Sequence, residues 1–295
     1  MENNFKSGFV SIIGMPNVGK STLLNKIIGQ KIAIVSSKPQ TTRNKILAVY
    51  TTDKEQIIFT DTPGIHKPKN KLGEYMVNAA AESMEDTDAV VFVTDAEKGF
   101  RDAEKAIIES IGKIPAVLVI NKIDRVKKEE LLPLISKYTE LCDFAAVVPI
   151  SAKHGDGISA LIDEIEKFLI EGPAFYDEDT VTDQPERQLA AEIIREKMLW
   201  LLDKEIPHGI AISIEKVKEK EKNTEIHAVI YCEKDSHKGI ILGKGGEMIK
   251  KIGTMAREDI EKMLDKKVYL ELWVKVKPNW RNSDFMMKNF GYSNE

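Results

Sequence analysis

Phe9-Val10-Ser11-Ile12-Ile13-Gly14-Met15-Pro16-Asn17-Val18-Gly19-Lys20-Ser21 decides the fold class. Phe9 to Ile13 is a mostly apolar, β-branched run ending in glycine, which reads as a strand, and Gly19 to Ile28 carries helical spacing. Between them, Gly14 to Ser21 fits G-x-x-x-x-G-K-S. Glycines in such a loop let backbone N–H groups wrap around phosphates, and the helix N-terminus adds partial positive charge. Lys20 is placed to reach β- and γ-phosphates and Ser21 to ligate Mg²⁺. An ordinary glycine turn is the competing reading, and the strand–loop–helix setting disfavours it.

Outward from this stretch the chain alternates strand-like and helix-like segments as far as about residue 170. Lys45 to Tyr50 and Gln56 to Thr60 flank Thr52-Asp53-Lys54, a hairpin turn that adds one antiparallel strand. Ala89 to Thr94, Ala116 to Ile120 and Ala145 to Ile150 are short valine- and isoleucine-rich runs, suited to parallel strands buried on both faces. The predicted fold is therefore α/β, a mostly parallel sheet with one antiparallel strand.

Two further motifs follow the phosphate loop. Asp61-Thr62-Pro63-Gly64 ends a strand, so Asp61 can hold Mg²⁺ through water and Gly64 permits close approach of its amide to the γ-phosphate. Asn121-Lys122-Ile123-Asp124 ends another strand. One carboxylate, Asp124, can accept both N1–H and N2–H of guanine, whereas adenine would leave it unpaired, which is costly. Lys122 would lay its stem on the base, and Ser151-Ala152-Lys153 can offer a backbone N–H to guanine O6. Between the first helix and the hairpin, Gln40-Thr41-Thr42-Arg43 sits where a nucleotide-sensing loop belongs. Thr42 is the first choice there for the Mg²⁺ and γ-phosphate ligand and Thr41 the second. Lys20, Thr42, Asp61 and Gly64 are the candidate catalytic set.

Glu171 to Pro185, with three acids in Asp177-Glu178-Asp179, shows no period and reads as a linker. Beyond it, a helix over Glu186 to Leu202 lines up Ala190, Ile194, Met198 and Leu201, and strands are expected at Ile210 to Val217, Glu225 to Cys232 and Lys267 to Val276. With two helical stretches around Gly243-Lys244-Gly245-Gly246 the order is α-β-β-α-α-β. The expected organisation is residues 1–171 for the nucleotide domain, 172–185 for the linker, 186–280 for an α+β domain and 281–295 for a tail.

Composition bounds the rest. A chain of 295 residues, 31% charged and 42% hydrophobic, accommodates two soluble domains. A net charge of -4 gives no global attraction to nucleic acid or an anionic membrane, so such contacts need a local patch. From Val181 onward there are 21 Lys and Arg against 20 Asp and Glu, a net of +1, yet Lys238, Lys244, Lys250 and Lys251 surround the glycine loop against Glu247 alone. Cys142 and Cys232 lack metal-ligand spacing and read as reduced thiols of a cytosolic protein. The five histidines show no metal spacing either, and His66 reads as a solvated loop residue. Met1 to Gly8 lacks the apolar core of a signal peptide, and apolar runs such as Ala116 to Ile120 are too short to span a bilayer.

Residues 8–170 resemble a translation-factor-type GTPase domain, and the glycine loop in its α-β-β-α-α-β frame resembles a type II KH domain. The combination resembles the Era family of ribosome-assembly GTPases, within the TrmE–Era–EngA type. It extends to Asp61-Thr62-Pro63-Gly64-Ile65-His66, to Thr182-Asp183-Gln184-Pro185-Glu186-Arg187 and to Phe290-Gly291-Tyr292. The resemblance implies GTP and GDP with Mg²⁺, a switch whose loops order with GTP, and slow intrinsic hydrolysis. It also implies binding of 16S rRNA near its 3′ end, a role in small-subunit maturation, and cytoplasmic location with peripheral contact at the membrane. The protein is expected to be a monomer. A KH loop would clamp RNA backbone with Gly243, Lys244, Gly245 and Gly246, flanked by Lys238, Lys250 and Lys251. Ile241, Leu242, Ile249 and Ile252 would form a floor under the bases.

One position departs from many GTPases: Ile65 stands where a glutamine often orients the attacking water. Asn17 with a hydrophobic residue at that position resembles GTPases that use K⁺ in place of an arginine finger. The alternative is that Asn17 only shapes the loop. Trp280 and Phe285 can stack on bases or pack the domain edge. The rival functions are a membrane-associated signalling switch whose KH-like domain binds protein, and an RNA-modifying enzyme, for which no second catalytic constellation is visible.

Overall fold

β1 (Lys6–Ile13) is flanked by β3 (Glu55–Asp61) and β4 (Ala89–Asp95), both parallel to it, in a computed structural model that describes residues 5–65 and 68–293. His66 lies outside the described residues. In chain order, α1 (Lys20–Ile28), β2 (Ile46–Thr51) and β3 follow β1, then α2 (Lys71–Glu82) and β4. Next come α3 (Ala103–Ile111), β5 (Ala116–Asn121), α4 (Lys128–Thr139), β6 (Ala146–Pro149), α5 (Ile158–Ile165) and β7 (Ile170–Glu171). The sheet order is β2-β3-β1-β4-β5-β6. β2 is antiparallel to β3 across the Thr52–Lys54 turn. The two-residue β7 adds an antiparallel end to β1 that carried no signal in the sequence.

The continuous apolar runs have a direct reason. Val91, Val93, Val117 and Val119 point into one core, and Val90, Phe92, Leu118 and Ile120 point into another on the opposite face. A strand buried on both sides has no polar alternation to show. Parallel order brings the C-terminal ends of β1, β3, β4 and β5 to one edge, where loops carry function in open α/β sheets.

The chain divides into two compact units. One comprises residues 5–33, 42–65 and 76–183, and the other comprises residues 34–41, 68–75 and 184–293. The stretch read as a linker is ordered along the first unit up to residue 183. Phe175 packs its ring 4.9 Å from that of Phe9. Gln56 accepts from the Phe175 N–H at 2.7 Å and the Tyr176 N–H at 2.9 Å. Thr182 donates its hydroxyl to the Leu47 carbonyl at 2.6 Å.

The second unit contains α6 (Glu186–Leu201), β8 (Ala211–Glu219), β9 (Thr224–Cys232), α7 (Asp235–Leu242), α8 (Glu247–Leu264), β10 (Val268–Val276) and α9 (Asp284–Asn289). Its sheet runs β10-β9-β8, with β10 parallel and β8 antiparallel to β9. Ile194 and Met198 of α6 share a core with Ile252, Ala256 and Ile260 of α8 and Ile226, Ala228 and Ile230 of β9. Trp280 is buried against this unit and donates its indole N–H to the Gly209 carbonyl at 2.9 Å, so it packs the domain edge, whereas Phe285 is exposed.

Away from the loop-bearing edge, Glu55 begins β3 beside a cavity of about 670 Å³ that Glu166, Asp163, Tyr50 and Lys6 also line. Burial first, then the charge and hydrogen bond of Glu166, push the Glu55 carboxyl up to about 7, against the pull of Lys6. The native state thus keeps a proton that the unfolded chain has released. The contribution of Glu55 to stability falls as pH rises from about 4.5 to about 7 and is flat above, the reverse of a salt-bridged carboxylate. Glu55→Gln is expected to melt higher than the parent at pH 8 by a few degrees, with the gain gone at pH 5; thermal melts at the two pH values check it.

Candidate nucleotide site and nucleic-acid groove

Asn121, nearly fully buried at the end of β5, joins the loops of the site. Its Nδ2 donates to the Val18 carbonyl at 2.8 Å. Its Oδ1 accepts the Lys122 N–H at 2.8 Å and the Ala152 N–H at 3.0 Å. The approach is so close that a Cβ on Gly19 would lie 2.2 Å from Asn121 Nδ2. Lys122 donates from Nζ to the Asn17 carbonyl at 2.9 Å and to Asp95 Oδ2 at 2.5 Å. Asp95, fully buried at the end of β4, is a site residue that motif reading missed. Nothing in its local sequence marks it apart from its place at a strand end.

Asp124 lies in the short turn that follows β5. Its Oδ1 accepts the Ser151 hydroxyl at 2.6 Å, and that bond, with help from His154 and Arg125, holds the carboxyl below the usual range. The group is therefore charged and oriented for a pair of N–H donors. Ser151 contributes its side chain to this, beyond the backbone role read from the tripeptide.

At the phosphate end, Lys20 is buried and donates Nζ to the Gly14 carbonyl at 3.0 Å and the Met15 carbonyl at 3.3 Å. Burial lowers its ammonium to about 8, and the Asp61 charge opposes that shift. Asp61 is fully buried, which raises its carboxyl, while Lys20, Ser21 and Thr42 pull it back. Its Oδ2 accepts Ser21 Oγ at 2.6 Å and Thr42 Oγ1 at 3.2 Å, and the two hydroxyls lie 2.9 Å apart. Asp61 Oδ1 is buried with no hydrogen-bond partner among the described residues. A buried carboxylate oxygen left unpaired beside two hydroxyls is a hard-oxygen donor set, and it fits Mg²⁺, which binds through few protein oxygens plus phosphates. Among the described residues no cluster of three or more His, Cys, Asp or Glu side chains offers a rival metal site.

Gly64 stands against the phosphate loop, where a Cβ would lie 2.7 Å from the Pro16 Cα. Thr62 donates its hydroxyl to the Ile12 carbonyl at 2.9 Å, fixing the start of the turn that Pro63 continues. Ile65 packs on the apolar core and has no group to orient water. Ile123 lies in a short helical turn that presents Asp124.

In the second unit, Gly243 needs its glycine: φ is +72°, and a Cβ would lie 2.8 Å from the Met248 backbone nitrogen. Gly245 and Gly246 also sit at positive φ, at the start of α8. Lys244, Lys250 and Lys251 border this loop and the start of α8, and Lys238 is half-buried on α7. The floor differs from expectation. Ile241 and Ile252 are completely buried in the core and cannot touch a ligand, because each lies on the inward face of its helix. A groove of about 300 Å³ runs between α8 and β10, lined by Ile249, Lys250, Gly253, Thr254, Arg257, Leu270 and Leu272. The spacing Ile249, Gly253, Arg257 is one helix face, a signal present in the sequence but ambiguous without β10 beside it.

A phosphate loop, an oxygen cluster that fits Mg²⁺ and an Asn-Lys-x-Asp turn on a mostly parallel sheet define a P-loop GTPase, here followed by a KH domain. Residues 9–122 match the family described as 50S ribosome-binding GTPase, and residues 205–281 match the KH domain family. The chain is 55% identical to GTPase Era of Ruminiclostridium cellulolyticum, covering 98% of each chain. It is 53% identical to GTPase Era of Clostridioides difficile, covering 99% of this chain and 100% of that one. The crystal structure of a point variant of Aquifex aeolicus Era bound to GDP·AlF4⁻ superposes with a TM-score of 0.95 at 42% identity, over 98% of this chain and 100% of that one. A structure of Era in complex with MgGDPNP and nucleotides 1506–1542 of 16S ribosomal RNA gives the same TM-score, identity and coverage. The chain belongs to the Era family of GTPases, and it is a GTP-hydrolysing enzyme.

Replacing the Asp124 carboxylate tests whether it reads the base. Asp124→Asn is expected to weaken GTP about 10- to 100-fold, the value of a hydrogen bond to a charged group, and to turn preference toward xanthosine nucleotides. Competition binding with GTP and XTP reads both changes.

Proposed function

We propose that this GTPase binds 16S rRNA near its 3′ end and assists maturation of the small ribosomal subunit, with GTP as the timer. The observation that carries the reading is the Gly243–Gly246 loop with its lysines, opening onto the groove at Gly253, in the same chain as the guanine site. A KH loop of this kind clamps about four nucleotides of single-stranded backbone. The Era complex with a 16S rRNA segment supports the choice of RNA. In this reading the protein works in the cytoplasm as a monomer, and any membrane contact is peripheral.

In the nucleotide site, Gly14 to Ser21 would wrap the phosphates, Lys20 would carry charge to the β- and γ-phosphates, and Asp124 would read guanine. Ser21, Thr42 and Asp61 would hold Mg²⁺, which when bound neutralises phosphate charge. Gly64 would bring its amide to the γ-phosphate. Thr42 and Gly64 would order with GTP and relax after hydrolysis. The Ile65 side chain supplies no base, so intrinsic hydrolysis is slow. Asn17 would supply an amide oxygen to K⁺ beside the phosphates, and equal hydrolysis rates in K⁺ and Na⁺ buffers of one ionic strength would reject that part.

Lys244→Asp with Gly245→Asp tests the RNA assignment. Affinity for an oligonucleotide of the 16S rRNA 3′ end is expected to fall at least about tenfold at fixed salt, since charge repulsion replaces a phosphate contact. GTP affinity should hold within about twofold, because these residues lie outside the nucleotide motifs. Unchanged RNA affinity would instead favour a protein partner for the KH domain.

A further inference from the structure

Helix α6 carries three consecutive charged residues, Arg195, Glu196 and Lys197, all at most 2% exposed. Burying three charges is costly unless each is paired, so their partners show what the helix is built to hold. Arg195 donates Nη1 to the Gln40 carbonyl at 3.1 Å and Nη2 to the Thr41 carbonyl. Its Nε lies 2.8 Å from Glu192 Oε1, which fixes the plane of the guanidinium. Glu196 accepts the Val35 N–H at 2.9 Å, and Trp200 donates its indole N–H to the Val35 carbonyl at 2.9 Å. The loop partners Val35, Gln40 and Thr41 lie in residues 34–41, which belong to the same compact unit as α6.

That segment ends one residue before Thr42, whose hydroxyl lies 3.2 Å from Asp61 Oδ2 and 2.9 Å from Ser21 Oγ. Gln40, a non-glycine residue, sits at φ +59°. A backbone in that region persists only where its surroundings hold it, and here the Gln40 carbonyl is held by Arg195. The Thr41 carbonyl belongs to the peptide whose N–H is that of Thr42. In a trans peptide the two groups point in opposite directions, so anchoring the carbonyl also fixes the Thr42 N–H.

We propose that Arg195 is a positioning residue for GTP hydrolysis, acting through the Thr41 carbonyl to set Thr42. This rests on the assignment of Thr42 as the residue that meets Mg²⁺ and the γ-phosphate. The same helix is tied toward the nucleic-acid groove: Lys197 pairs with Glu196 at 2.8 Å and with Asp259 of α8 at 2.5 Å. A displacement of residues 34–41 therefore loads a helix that is ion-paired to the groove helix.

The test compares GTP and GDP, since Thr42 meets the γ-phosphate only in the GTP form. Arg195→Lys keeps the charge and loses the two-pronged hold. It is expected to lower kcat about tenfold and the GTP-to-GDP affinity ratio, read with fluorescent nucleotides, about tenfold, with GDP affinity unchanged. In a Thr42→Ala background, which loses the hydroxyl but keeps the N–H, the same substitution is expected to add less than it does alone. Additive effects in that cycle, or equal weakening of GTP and GDP, would overturn the proposal. So would an unchanged ratio. If Thr42→Ala alone leaves the ratio and kcat intact, the Thr42 assignment has failed rather than the role of Arg195. Should Arg195→Lys not fold, Trp200→Phe removes one of the two hydrogen bonds that hold Val35 in the same segment. It is expected to lower the ratio about threefold with GDP affinity unchanged, and no change in the ratio would again overturn the proposal.

Discussion

The site depends on one buried amide. Asn121 ties Val18 of the phosphate loop to Ala152 of the loop after β6, and it does so from the end of β5. Its donor and acceptor are both used, so no rotation of the side chain preserves all three bonds. Removing it would leave a buried carbonyl and a buried N–H unpaired, at about 1–3 kcal/mol each. Lys122 then adds a charged link from the same turn to Asn17 and Asp95. The phosphate loop and the turn that carries Asp124 thereby share one rigid frame.

Charge is balanced differently at the two ends of the site. At the base end, the Ser151 hydroxyl keeps Asp124 ionised while leaving it accessible. At the phosphate end, Lys20 and Asp61 are both buried, and burial disfavours the charge of each. Such a pair is poised for ligands of opposite sign: phosphate oxygens favour the charged lysine, and a divalent cation favours the charged carboxylate. The unpartnered Asp61 Oδ1 is the local sign of that arrangement. Burial that would be a liability in a structural ion pair becomes selectivity for a metal–phosphate ligand.

Much of this is legible in the sequence because the motifs combine fixed residue types with strand ends. The phosphate loop, the Asp61 turn and the Asn121 turn each follow an apolar run, and the parallel order brings those strand ends together. The hairpin at Thr52–Lys54 and the α-β-β-α-α-β order of the second unit are likewise readable from period and turn chemistry. Asp95 is not, since a buried aspartate at a strand end looks the same as a turn residue until Lys122 is beside it. Nor is the groove floor, because Ile241, Ile249 and Ile252 cannot be sorted by hydrophobicity alone. Ile241 and Ile252 point into the core, whereas Ile249 flanks the open face with Gly253, whose missing side chain leaves room next to Leu272.

Helix α6 shows the limit of periodicity most sharply. Its apolar positions Ala190, Ile194 and Met198 correctly mark the core-facing stripe. Arg195, Glu196 and Lys197 carry charges that hydrophobic patterning assigns to water, yet all three are buried. A sequence cannot separate a solvated charge from a buried one, because the difference lies in partners distant along the chain: Thr41, Val35 and Asp259. As ion pairs alone they would add little, since a buried ion pair can often be replaced by apolar residues without loss of stability. Retaining charge there makes physical sense where backbone carbonyls and an N–H of a loop must be held in one arrangement, which apolar side chains cannot do.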